Sequence, residues 1–403
     1  MPNYNYKVKT ESGKVLAGEV KIESEQELRR ILQEKGYKVV EIVEKTAIND
    51  ISEIKLFRKK VKLKDLAVFC RQFAIILEAG VPISQSLEVL KVQTTNPTLK
   101  ACLSDVYDNI QKGIAMSSAF RQHEDIFPDI LINMVEAGEL SGQLDLVFIR
   151  MANYFEAQYK LNQKIKGALA YPLIVMVVAI LVILILMIGV IPTFAEILGE
   201  FDVELPVYTS ILISISDVFK SFWYIIIGGI IAIVSSIAYY RKTPDGKVFF
   251  GKLAIGLPVF KSVTRNIITA RFTRTLGTLM SSGVLLIQSM EVVAKVLGNS
   301  VVEQKISHVI EEVKKGKGLT TPLASIRYFP HMVISMIRIG EESGNLDFAL
   351  EKSADFYDQE VERSLQQLTS FIEPLIMISL ALVVGFIILS VLTPMFALYE
   401  ELA

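Results

Sequence analysis

The sequence predicts a mainly α, polytopic membrane protein with two repeated cytoplasmic helical bundles, three transmembrane helices and a small N-terminal α+β module. Three observations predict this class. A long segment occurs twice in one register, three apolar runs lack charge, and the first residues alternate apolar with polar as a strand does. A repeat at a nearly fixed offset decides the architecture before any local element does.

Its clearest part runs from Phe127-Pro128 through Gly138-Glu139-Leu140-Ser141-Gly142-Gln143-Leu144-Asp145. It returns as Phe329-Pro330 through Gly340-Glu341-Glu342-Ser343-Gly344-Asn345-Leu346-Asp347. Upstream, Phe69-Cys70-Arg71, Gly80-Val81 and Gln85-Ser86-Leu87-Glu88-Val89 match Phe272-Thr273-Arg274, Gly283-Val284 and Gln288-Ser289-Met290-Glu291-Val292. One residue is lost between Phe120 and Phe127. Downstream, Tyr154-Phe155 meets Phe356-Tyr357, Pro172 meets Pro374, and Pro192 meets Pro394. The copies cover roughly 69–194 and 272–396, and so many landmarks in order exclude a chance motif.

Residues 1–45 read as the α+β module. Tyr4, Tyr6 and Val8 alternate with polar residues, Ser12-Gly13 marks a turn, and Leu16 to Val20 supply a return strand. Ser24 and Glu27 form a capping box, in which hydroxyl and carboxylate satisfy the orphan N–H groups of a helix start. Leu28, Ile31 and Leu32 give that helix one apolar face. Gly36 stops it, and Val39, Val40 and Ile42 begin a last strand. Residues 46–64 are a polar linker with a basic cluster at Arg58, Lys59, Lys60, Lys62 and Lys64. The cluster reads either as a solvated face or as an attraction to anionic membrane lipid or an acidic partner.

The first bundle occupies residues 65–171. Leu66, Phe69, Phe73, Ile76 and Leu77 recur at helical steps, and further helical stretches span 99–112, 128–137 and 144–168. Gly80 ends the first helix, where positive φ suits a residue without Cβ. Pro82 suits the next helix start; the second copy keeps Gly283 but has Leu285 in place of that proline. The second bundle occupies 241–373, and both copies read as sets of several short helices.

Residues 172–192, 222–240 and 374–393 read as membrane spans. Leu173 to Ile191 carries no charge, and at about 1.5 Å per residue it nearly crosses a ~30 Å hydrocarbon core. Trp223, Tyr224, Tyr239 and Tyr240 flank the second span like interfacial anchors, and Leu375 to Leu392 forms the third. Lys160, Lys164 and Lys166 precede the first span; Arg241, Lys242, Lys247, Lys252 and Lys261 follow the second. The segment 193–221 instead carries Glu196, Glu200, Asp202, Glu204 and Asp217, and 394–403 holds no basic residue. Basic residues mark the cytoplasmic side. Both bundles and the N-terminus are therefore expected inside, with 193–221 and the C-terminal tail 394–403 outside. The span at 222–240 has no repeat partner; it returns the chain so that both copies share one orientation, unlike inverted transporter repeats.

Composition narrows function. The 403 residues are 51% hydrophobic with a net charge of −1, and mean hydropathy is +0.43. That balance suggests no direct nucleic-acid partner. Cys70 and Cys102 form no CxxC, and His123, His308 and His331 lack ligand spacing, so neither a disulfide framework nor a metal site is expected. The first residues contain no signal-peptide core. Gly246 to Leu253 approaches a phosphate-binding loop, but Leu253 stands where Ser or Thr should hold Mg²⁺, and Gly316-Lys317-Gly318 reads as a turn. No nucleophile, base and orienting group come together, so no catalytic residue and no cofactor is assigned. The spans lack ionisable residues, which argues against a pump; a small transporter or channel is the rival reading. Ser235 and Ser236 are candidates to bond within their own helix or glue two helices.

Asp145 and Asp347 sit at helix starts, where a carboxylate suits the positive end of the helix dipole. Glu139 and Glu341 read as turn residues holding backbone N–H groups, or as a partner contact or a cation ligand shared between helices. With Gly80, Gly138, Ser141, Gly142 and Pro172, and with Gly283, Gly340, Ser343, Gly344 and Pro374, they form the candidate set of structural or partner-contact residues.

These doubled motifs, Phe-Pro followed by Gly-Glu-x-Ser-Gly-x-Leu, with Pro172 and Pro374 heading two spans, resemble the type II secretion F protein and type IV pilus PilC inner-membrane platform family. The resemblance covers essentially the whole chain. It implies a protein of the bacterial inner membrane without enzymatic activity. It further implies coupling of a cytoplasmic assembly ATPase to the movement of pilins or pseudopilins, contacts with other inner-membrane assembly proteins, and self-association.

Overall fold

The computed structural model describes residues 3–9, 15–22, 24–34, 36–44, 59–200 and 206–402. The expected turn at Ser12-Gly13, most of the linker with Arg58, and the acids Asp202 and Glu204 lie outside the described residues.

At the N-terminus, β1 (Asn3–Lys9) pairs antiparallel with both β2 (Val15–Lys21) and β3 (Lys38–Glu44), with Tyr4 opposite Val20 and Glu44. The helix α1 (Glu25–Glu34) lays Leu28 and Leu32 on Tyr4 and Val8. Its start is held by the Ser24 hydroxyl, which accepts the Glu27 N–H at 3.3 Å.

The first lobe is helical throughout. It comprises α2 (Leu63–Glu78), α3 (Ile83–Gln93), α4 (Pro97–Gln111), α5 (Met116–Arg121), α6 (Asp129–Ser141) and α7 (Leu144–Ile185). The second lobe repeats the order. After α10 (Pro244–Gly256) come α11 (Pro258–Ser281), α12 (Leu286–Val296), α13 (Ser300–Lys314), α14 (Thr320–Ser325), α15 (His331–Ser343) and α16 (Leu346–Leu402). In each lobe the first helix lies along the long last one, α2 on α7 and α11 on α16.

Asparagine opens the matching helix in both lobes. Asn96 Oδ1 accepts from Thr98 and Leu99, and Asn299 Oδ1 accepts from Val301 and Val302. The amide thereby satisfies N–H groups that the helix cannot. The lobes differ inside. In the first, Phe69, Phe73, Phe120, Phe127 and Phe148 form an aromatic cluster, with Phe120 stacked on Phe127 at 4.1 Å. The second retains Phe272 on Phe329 and uses Leu276, Leu323 and Leu350 elsewhere.

The lobes are fused, because one continuous cluster of buried apolar residues runs through both. Across the seam, Tyr154 Oη meets Thr275 Oγ1 at 3.2 Å, and Arg150 donates to the Ser281 carbonyl and the Ser282 hydroxyl. Gln288 donates to Asn133 at 2.9 Å, and Lys295 to Asp129 at 2.6 Å.

Three helical stretches are long and apolar enough to cross a membrane: Leu144–Phe194, Val207–Tyr240 and Leu346–Thr393. Two of them correct the expected pattern of short bundle helices followed by separate spans. Pro172 and Pro374, expected to head the spans, lie inside the unbroken helices α7 and α16. Beyond α7 the backbone widens into a π-helical turn at Leu186–Val190 and continues as α8 (Ile191–Glu200). The expected external segment 193–221 is itself largely helical. Its second half belongs to α9 (Val207–Tyr240), which kinks at Phe222. The spans touch one another at their ends away from the lobes, through Met187, Ile191, Leu212 and Ile387. There the Thr209 hydroxyl donates to the Ser390 carbonyl at 3.0 Å, and the Ser216 hydroxyl to the Met187 carbonyl. Ser235 and Ser236, expected to bond within their own helix or to glue two helices, are exposed. Thr209 and Ser216 make such bonds between helices from the start of α9, in the stretch expected as an external segment.

Candidate functional site

The doubled motif builds the same structure twice. Glu139 projects from α6 onto the start of α5. Its carboxylate accepts the Met116 N–H at 2.5 Å, the Ser117 N–H at 3.2 Å and the Ser117 hydroxyl at 2.5 Å. Glu341 projects from α15 onto α14. It accepts the Leu319 N–H at 2.6 Å, the Thr320 N–H at 3.1 Å and the Thr320 hydroxyl at 2.6 Å. The first N–H groups of any helix have no acceptor within it, and in each of these six-residue helices a carboxylate from the next helix holds them. Burial pushes the Glu341 carboxyl up, but the Thr320 hydroxyl and the two N–H groups outweigh it and leave the group below its ordinary range. Ser117 and Thr320 were missed in the sequence. The signal was present, because a hydroxyl stands at the same register of both copies.

The glycines around the glutamates have two separate uses. Gly142 and Gly344 end α6 and α15 in the left-handed region at φ 72°, which lets the chain reverse into α7 and α16. Gly138 and Gly340 allow close helix contact. A Cβ on Gly138 would lie 2.8 Å from Val147 Cγ2, and one on Gly340 would lie 2.8 Å from the Leu346 Cα. Gly80 and Gly283 close α2 and α11 with φ of 80° and 81°. Ser141 and Ser343 are both exposed, and the Ser141 hydroxyl donates within its own helix to the Ala137 carbonyl at 2.9 Å. Asp145 and Asp347 stand in the first turns of α7 and α16. Pro172 is buried and Pro374 exposed.

A second repeated device ties each first helix to its long helix. Arg71 donates to Glu156 at 2.9 Å and Asn153 at 2.6 Å, and Arg274 to Asp355 at 2.8 Å and Asp358 at 2.7 Å. Arg71 spreads its two acceptors, one helical turn apart, over Nε and Nη2 of the guanidinium fork, whereas Arg274 offers Nη2 to both. The residue lost between the copies falls in the loop after the short helix, where Arg327 takes φ 49°. The near-miss phosphate motif lies within α10, whose backbone is helical, so it forms no cradle. Among the described residues no three His, Cys, Asp or Glu side chains gather as a metal site would require.

Comparison with known proteins matches this doubled architecture. The family model described as "Type II secretion system (T2SS), protein F" matches residues 69–192 and again 272–394. The model for the N-terminal domain of type II secretion system protein F matches residues 1–43. A type IV pilus assembly protein PilC from Myxococcus xanthus is 36% identical, covering 98% of this chain and 94% of its own length. A PilC from Thermus thermophilus is 36% identical over 100% of both chains. A type II secretion system protein F from Xanthomonas campestris is 31% identical over 99% of each. Two matched copies with their N-terminal domain, and relatives alike from end to end, make this chain a member of the type II secretion protein F family.

Proposed function

We propose that the chain is an inner-membrane platform of a type IV pilus or type II secretion machine. In this reading it has no chemistry of its own. It couples a cytoplasmic assembly ATPase to the extraction of pilins or pseudopilins from the membrane, alongside other inner-membrane assembly proteins and further copies of itself. Both lobes and the N-terminus lie in the cytoplasm, and the segment around 193–221 and the C-terminus lie outside. The basic residues that flank the lobe ends of the spans support this sidedness.

The observation that carries the proposal is the continuity of α7 and α16. Each begins just past the left-handed glycine that ends the glutamate-bearing helix, runs through its lobe and extends into an apolar span without a break. A push on the fused lobes is therefore delivered to the membrane by helices rather than lost in a loop. Deletion of the gene tests the role. Filaments or secretion should be lost while the purified assembly ATPase still hydrolyses ATP. Filaments that persist in the deletion strain would reject it.

A further inference from the structure

At the end of α9 the chain turns at Arg241 and folds α10 back against α11 and α13. A cavity of about 440 Å³ lies between them, within the size range of small-ligand sites. Arg241, Lys247, Arg271 and Lys295 line it, against one acid, Glu303. Lys295 is committed to Asp129 at 2.6 Å. Among the described residues Arg241, Lys247 and Arg271 have no carboxylate partner.

Arg271 is the least satisfied of them. Its Nη1 donates to the Leu297 carbonyl and its Nη2 to Asn162 Oδ1, both at 3.4 Å, and its Nε is buried without an acceptor. A cation drawn partly out of water without an anion is costly. A single oxyanion can accept two N–H groups of a guanidinium at once, which phosphate geometry suits. The wall beside it is trimmed for that arginine, since a Cβ on Gly298 would lie 2.8 Å from Arg271 Nη1.

The surroundings indicate where the anion comes from. Phe249, Leu253, Leu257 and Phe260 are exposed along α10 and the start of α11, beside exposed Lys247, Lys252 and Lys261. Tyr239 and Tyr240 end the adjoining span. Apolar side chains mixed with lysines next to a span are the signature of a helix lying in the lipid headgroup layer. A soluble phosphate would have no use for that apolar strip, whereas acyl chains would lie along it. We propose that the cavity binds the phosphodiester headgroup of an anionic phospholipid, gripped by Arg241, Lys247 and Arg271.

The test uses the full chain in phosphatidylcholine nanodiscs with trace spin-labelled phosphatidylglycerol or spin-labelled phosphatidylcholine. Electron paramagnetic resonance reads the motionally restricted fraction of each lipid. Phosphatidylglycerol should be restricted in preference. Lys247→Gln and Arg241→Gln should each cut that preference about fivefold, the effect of one cation near a lipid surface. Both side chains are exposed, so the fold should survive the changes. Lys252→Gln, in the exposed strip but outside the cavity, should cut the preference less than either cavity change. No preference in the unaltered protein, or an equal loss in Lys252→Gln, overturns the proposal. Calorimetry with the deacylated headgroup glycerophosphoglycerol and detergent-solubilised protein forms the last arm. Little binding is expected. Binding as strong as that of the lipid would assign the cavity to a soluble phosphate ester and overturn the lipid assignment.

Discussion

Glu139 and Glu341 each hold three donors at the start of a helix too short to stand alone. A hydrogen bond to a charged acceptor contributes about 1.5–3 kcal/mol in a protected site, and less where water competes. Glu341→Gln keeps the shape and removes the charge. It should lower the unfolding temperature of the purified protein at neutral pH. The sign of the pH dependence follows from the depressed carboxyl. Its contribution is complete above its unfolded value near 4.5 and is lost as pH falls through the lower folded value. The gap between wild type and Glu341→Gln, followed by thermal unfolding, should therefore close in acid. The paired glycines allow a sharper comparison. Gly340→Ala would drive a methyl against the backbone of Leu346, whereas Gly138→Ala meets the side chain of Val147, which can shift. Overpacking costs about 1–3 kcal/mol, so thermal unfolding should show Gly340→Ala as the more damaging of the two. The glycines and glutamates were readable from the repeat. Their partners were less so, because hydrogen-bonding Ser117 and Thr320 look like ordinary polar residues until the short helix is seen.

At the scale of the element, α7 and α16 are the departure from expectation. Pro172 and Pro374 looked like helix openings, which proline favours because its missing N–H is not needed there. In the interior a proline removes one hydrogen bond and usually kinks the helix. Sequence alone cannot distinguish the two positions when helical residues stand on both sides. The acidic residues of 193–221 similarly masked α9, and Thr209 and Ser216 were passed over with it. The apolar runs, the return span and the glycine stops were legible because each has a direct physical signature. Continuity of the rods makes a testable demand. Three glycines inserted after Ala168 lengthen the unfolded-prone part of α7 while leaving lobe and span chemistry intact. The protein should still insert into the membrane, as fractionation would show, yet filament assembly or secretion should fail. Wild-type filament numbers from that variant would show that the rod need not be stiff.

For the whole molecule, the two lobes behave as one body. Helical periodicity revealed which faces are buried but not what buries them, so the shared core could not be read before the coordinates. A cysteine pair checks it. Asn133→Cys with Gln288→Cys replaces a 2.9 Å contact across the seam, and a short bifunctional reagent should join the two positions within one chain. Cys70 and Cys102 will not compete. Both are buried free thiols, and burial, helped by Asp125 and Asp105, pushes Cys102 up to about 12. The same link would place residues of both lobes on one side of the bilayer. The fused lobes also bear on the spans, which meet through Met187, Ile191, Leu212 and Ile387 and are otherwise exposed along most of their length. They stand like the legs of a tripod, joined at the apex and footed on the fused lobes. The described residues leave the wedge between the legs open, and in a bilayer acyl chains would fill it. Solubilisation replaces that filling, so stiffness measured in micelles will differ from stiffness in a bilayer.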